Sequence, residues 1–89
     1  MKIKRKIYLY KSGIILLPFK VLEKVNIKAG KNLIKINNFQ LMATTSFDRR
    51  LRSGGSIDII AKLIIPKKIC RFLKLKHKQE VDLELENEK

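Results

Sequence analysis

The side chains of this 89-residue chain best suited to chemistry are cations, and they fall in two groups. Arg49, Arg50 and Arg52 run up to the pair Gly54-Gly55, while Lys67 and Lys68 follow Pro66 directly, with Lys62 before them and Arg71 one helical turn beyond. Guanidinium forks and ammonium groups bind anionic oxygens, those of phosphate among them. Three arginines beside a Gly-Gly pair have no evident folding role, so a phosphate-contacting loop is the expectation there. Lys67 and Lys68 stand where the first turn of a helix favours acids. Their presence against that field suggests that lysines and helical N–H groups hold a phosphate together. Tyr8 and Tyr10 offer faces on which bases can stack, although their alternation with Ile7 and Leu9 suits ordinary packing better.

Catalysis has no comparable set of residues. The one histidine, His77, lies in a lysine-rich turn with no cysteine or carboxylate at triad or metal-ligand spacing, and reads as a surface residue. No GxxxxGK loop is present. The chain is therefore expected not to be an enzyme and to need no cofactor or metal. Cys70 is the only cysteine, which excludes an internal disulfide and fits a reducing, cytoplasmic setting. Its position relative to Pro66 equals that of Leu22 relative to Pro18, which points to a buried apolar role.

Charge bounds the partner. The 21 Lys and Arg against 8 Asp and Glu give a formal net charge of +13, and five of the acids lie at Glu80, Asp82, Glu84, Glu86 and Glu88. Residues 1–79 carry 20 bases and 3 acids, a net +17. Such a balance favours polyanions, nucleic acid first and an acidic membrane surface second. The apolar run from Ser12 to Phe19 is too short to cross a bilayer, and no secretory signal is visible. A chain this small leaves little interior for a substrate cavity.

The elements that position these cations come as a repeat. Pro18 and Pro66 stand 48 residues apart, each closing an apolar run, GIILLP in one case and AKLIIP in the other. After each proline the apolar positions recur: Val21 with Ile69, Val25 with Leu73, Ile27 with Leu75, Leu33 with Val81. The expectation is one unit duplicated within one chain. Periodicity predicts strands at 7–10, 14–17, 33–36, 57–60, 63–65 and 81–85, with a further strand possible at 40–46. The run 14–17 reads as covered on both faces. Each proline is expected to open a short helix, with Val21 and Val25 on one face of the first, and with the second reaching about Leu73. This predicts a single domain over 1–89, with repeats at about 7–37 and 56–88 joined by a basic loop over 38–55.

The residues Gly13, Pro18, Val21, Val25, Ile27, Gly30 and Leu33, with Pro66, Ile69, Leu73, Leu75 and Val81, resemble the pattern of the AbrB/SpoVT/MazE swapped-hairpin family. The resemblance implies an all-β barrel with two short helices, in which two units that are usually supplied by two chains are fused into a pseudo-dimer. A double-psi-type barrel is a close alternative. It also implies DNA binding, by a transcription regulator or chromatin protein, through basic residues. The chain departs from the pattern at several places. The family's acid after glycine is Lys31 and Gln79 here, and the second glycine is Lys78. Of the family's DNA-contacting arginine positions after proline, only Arg71 is basic, against Leu22, Glu23 and Cys70. After the first glycine position the residues are Ile14 and Lys62.

The nucleic-acid-binding set expected from sequence is thus Arg49, Arg50, Arg52, Lys62, Lys67, Lys68 and Arg71. DNA is favoured, and a structural place in a ribosome or other RNA assembly is the alternative. A fused pair of units is expected to be a monomer when free.

Overall fold

A computed structural model of the chain describes residues 1–86. Six strands form a closed barrel in the order β1-β2-β5-β4-β3-β6, every neighbouring pair antiparallel. They are β1 (Lys2–Leu9), β2 (Gly13–Leu17), β3 (Gly30–Ile36), β4 (Phe39–Leu51), β5 (Ile57–Ile65) and β6 (Gln79–Glu84). Two short helices, α1 (Phe19–Leu22) and α2 (Lys67–Phe72), follow β2 and β5. The expected all-β barrel with two short helices is the architecture found. Closure leaves no long sheet edge around the barrel wall.

The interior is aliphatic. Ile7, Ile15, Leu17, Ile36, Leu63, Ile65, Val81 and Leu83 are fully buried, as the inward members of alternating strands. Thr45 is the one buried polar residue among those described, and its hydroxyl accepts a 2.9 Å hydrogen bond from the Asn32 side-chain amide.

Exchanging β1 with β4, β2 with β5 and β3 with β6 carries the ring order onto itself, so the strand order has a pseudo-two-fold symmetry, the order expected of the repeat. The axis passes between Ile15 and Leu63, which face each other in the β2–β5 ladder, and between Lys35 and Glu84 in the β3–β6 ladder. The first pair is 48 residues apart and the second 49, so the repeat slips by one residue between the helices and the last strand of each unit. That slip corrects one matched pair. Leu33 is 55% exposed whereas Val81 is 1% exposed, because a one-residue shift along a strand moves a side chain to the other face. The positional equivalent of Val81 is Asn32, and that of Ile7 is Thr45. A polar pair in one half thus occupies the place of an apolar pair in the other.

Other expectations shift for local reasons. The segments 57–60 and 63–65 are one strand, β5, because β4 supplies a continuous partner from Thr44 to Leu51. The connection 38–55 is mostly strand: Asn37 and Asn38, with φ of 49° and 68°, turn the chain between β3 and the thirteen-residue β4. Such a left-handed pair fits a two-residue hairpin loop. Only the segment 52–56, with Gly54 and Gly55 at φ of 98° and 87°, remains a turn. In β2 the outward residues Ile14 and Leu16 are half-buried rather than covered. The first helix is a single turn, and Val25 is buried beyond its end instead of sharing a face with Val21.

Each helix sits against the other half of the chain. α1 packs on β5, and Cys70 of α2 lies over Gly13 of β2. A Cβ at Gly13 would stand 2.5 Å from Cys70 Sγ and 2.8 Å from Ile7 Cδ1. Gly13→Ala is therefore expected to destabilise the fold by about 1–3 kcal/mol, the usual cost of overpacking a core. Chemical denaturation checks this, and the loss should be smaller in a Cys70→Ala background, which removes the nearer of the two atoms.

Candidate nucleic-acid interface

The structure sorts the expected cations by whether an acid already holds them. β6 lies beside β1 with Glu84, Asp82 and Glu80 directly opposite Lys2, Lys4 and Lys6. Glu84 also bridges Lys2 and Lys35 at 3.5 and 3.6 Å. The acidic residues near the C-terminus therefore offset the lysines of β1, and that side of the barrel carries little excess charge.

The Arg-rich segment is a projecting two-stranded arm instead of a loop. Beyond Phe47 and Ala61, β4 and β5 pair only with each other, out to Leu51 and Ile57. The corresponding β1–β2 hairpin turns at once between Leu9 and Gly13. Arg49 and Arg50 lie on the arm strand and Arg52 at its tip, all exposed. Two acids share the arm: Asp58 accepts from Arg52 Nε at 3.0 Å, and Asp48 faces Lys62 Nζ at 3.8 Å. Two of the seven expected residues, Arg52 and Lys62, are thus already paired, whereas Arg49 and Arg50 form no ion pair among the described residues and leave the arm with two unmatched positive charges. One of its faces is apolar, with Phe47, Leu51, Ile57 and Ile59 exposed around Arg49.

The remaining three expected residues lie on α2, and the fold adds to them. Lys67 and Arg71 are four apart, on one face of the helix, and Lys74 follows at its end. The end is a Schellman motif: Leu75 N–H donates to Cys70 C=O at 3.0 Å and Lys74 N–H to Arg71 C=O at 3.1 Å. Its left-handed position, normally glycine, is Lys74 at φ 54°. Cys70 and Leu75, the apolar pair that accompanies such a motif, are both buried. Burial also pushes the Cys70 thiol above its ordinary pKa, with the Gly13 backbone opposing the shift.

Against this helix face stands the β1–β2 turn. Lys11 and Tyr10 project from it, and together with Lys67, Arg71 and Lys74 they surround a notch of about 210 Å³ floored by Leu9, Cys70 and Leu75. Among the described residues no acid lines the notch, and none of Lys11, Lys67, Lys68, Arg71 or Lys74 forms an ion pair. Lys68 is exposed on α2 beside the notch without lining it.

His77 has a structural part that its sequence context concealed. Its Nδ1 accepts a 3.0 Å hydrogen bond from Leu9 N–H, and its ring meets Tyr8 and Tyr10 edge-on at 5.9 and 5.5 Å. The imidazole thereby ties the β1–β2 turn to the segment after α2 and props Tyr10, which is still 70% exposed. Lys11, Lys74 and Tyr10 were not in the expected set; the left-handed position of Lys74 follows from the end of α2 in the fold and has no signal in the sequence, where the matched residue is Asn26. Among the described residues no cluster of three or more His, Cys, Asp or Glu is placed to hold a metal, and no helix is long and apolar enough to cross a membrane.

No protein-family model, curated protein or solved structure matches this chain.

Proposed function

We propose that the protein binds nucleic acid, with α2 and the β1–β2 turn contacting the phosphate backbone. One observation carries the reading: the lysines of β1 and the arm's Arg52 and Lys62 lie beside acids, whereas Lys11, Lys67, Arg71 and Lys74 have none among the described residues and, unlike the equally unpaired Arg49 and Arg50, converge on one notch from two elements. A cluster of exposed, unneutralised cations lowers the free energy of a polyanion beside it and releases counterions on contact. The pseudo-two-fold barrel supports the swapped-hairpin resemblance, and with it a small AbrB-like DNA-binding protein of the regulatory or chromatin type.

A second reading, a structural protein of a ribosome or similar RNA assembly, draws on the asymmetry of the halves. The first-unit equivalents of Lys67, Arg71 and Lys74 are Phe19, Glu23 and Asn26, so the two faces of the barrel do not match a palindromic duplex. Competition between a duplex DNA and a structured RNA separates the two readings.

For four to five phosphate contacts, affinity for duplex DNA is expected to fall by about two to three decades between 50 and 200 mM salt. An affinity that barely changes over that range would remove the electrostatic mechanism.

Lys74 permits a sharper test. A non-glycine residue in the left-handed region is strained, so Lys74→Gly is expected to raise stability by about 1 kcal/mol. The same change removes a cation from the notch and should weaken nucleic-acid binding severalfold. Stability and affinity moving in opposite directions would mark Lys74 as a binding residue; an unchanged affinity would leave it outside the interface.

A further inference from the structure

The notch has the wrong lining for a site that meets only phosphates. Its floor of Leu9, Cys70 and Leu75 is apolar, and Tyr10, 70% exposed, stands among its lining residues. A surface selected only to hold a charged backbone has no use for an exposed tyrosine beside an apolar hollow. Cations at the rim and an apolar floor together match a ligand that is itself divided, with a flat apolar body joined to an anion. At about 210 Å³ the hollow is below the roughly 300–1,000 Å³ of pockets that enclose drug-sized molecules, and it suits a single ring system.

We infer that this notch receives one unstacked nucleotide of a single-stranded segment, its base against Tyr10 and the apolar floor and its flanking phosphates on Lys67, Arg71, Lys74 and Lys11. The inference rests on the nucleic-acid reading above and narrows it from backbone contact to capture of an unpaired base. A base in a duplex is stacked on both faces and does not reach the hollow, so the site distinguishes unpaired from paired strands. Stacking on an aromatic ring tolerates any base, so little sequence preference is expected from this site. The edge-on contacts of His77 hold the Tyr10 ring before ligand arrives, which lowers the ordering cost of binding.

The test uses the full chain and four probes: a ten-nucleotide single strand as RNA and as DNA, the same strand lacking its bases, and the corresponding duplex. The base-bearing strands are expected to bind more tightly than the abasic one. Tyr10→Ala should weaken the base-bearing strands by about 5- to 150-fold, the range found for one stacked base, and leave the abasic strand and the duplex within about twofold. The salt dependence should not change, because no charge is removed. Tyr10→Phe, which keeps the stacking face, should retain wild-type binding, and this variant guards against a change in fold. A preference seen with either the RNA or the DNA strand supports the site, and their ratio identifies the source of the nucleotide. If the wild type binds duplex and strands but does not favour the bases, or if Tyr10→Ala keeps the preference, the notch assignment is overturned while nucleic-acid binding stands. If no probe binds at low salt, the broader reading fails, and the notch assignment with it.

Discussion

Replacing Lys67, Arg71 and Lys74 together by alanine is expected to weaken nucleic-acid binding by about two to three decades near 100 mM salt. Each cation that neutralises a phosphate contributes about 0.9 to the slope of log affinity against log salt on duplex DNA, so losing three should flatten that slope by about 2.7. The triple variant should fold normally, because all three side chains are exposed and none forms an ion pair among the described residues. The control is Lys20→Ala with Lys24→Ala on and just after α1. It removes two positive charges from the other half, where Phe19 and Glu23 stand in place of Lys67 and Arg71. Its effect should stay within about threefold, the loss expected from the long-range field alone. Equal losses from the two sets would mean that net charge, not this surface, governs binding. A larger loss from the Lys20 and Lys24 pair would place the interface on the opposite helix.

The parts of the fold that were legible in the sequence are those with a local cause. Pro18 and Pro66 end β2 and β5 and open α1 and α2, because a fixed φ and a missing N–H act on the adjacent turn whatever the rest of the chain does. Val81, Leu83 and Leu85 alternate with acids, and β6 is half-buried as that period requires. The long β4 was only partly legible. Its outer portion, with Arg49 and Arg50, has the composition of a loop and becomes strand because Ile57–Ile60 of β5 pairs with it. Two arginines chosen for phosphate contact were thus placed on an arm, and Arg52 beside them in an ion pair, by pairings that lie several residues away. The notch was less legible still. Tyr10 and Lys11 meet Lys67, Arg71 and Lys74 only because the barrel closes, and no local pattern joins residues more than fifty positions apart. For β3, alternation puts Ile34 and Ile36 on one face and Leu33 on the other, whereas the repeat matched Leu33 with the buried Val81; the pairing with β4 and β6 places Ile34 and Ile36 inward.

That register is open to direct measurement. Ile34 is 3% exposed and Leu33, next to it, is 55% exposed. Ile34→Ala is therefore expected to cost about 2–5 kcal/mol, since it removes buried methyl groups from a barrel wall whose strands are paired on both sides and cannot collapse fully into the space. For a domain of this size each kcal/mol lowers the melting temperature by about 4–8 °C, so the variant should melt at least roughly 8 °C below the parent. Leu33→Ala should stay within about 0.5 kcal/mol, as an outward substitution without buried partners does. A strict 48-residue repeat makes the opposite forecast. It pairs Leu33 with the buried Val81 and Ile34 with the exposed Asp82, so Leu33→Ala would then be the damaging change. Thermal melts of the two variants side by side decide between the two registers, and an Ile34→Ala protein as stable as Leu33→Ala would count against the β3–β6 ladder that closes the barrel.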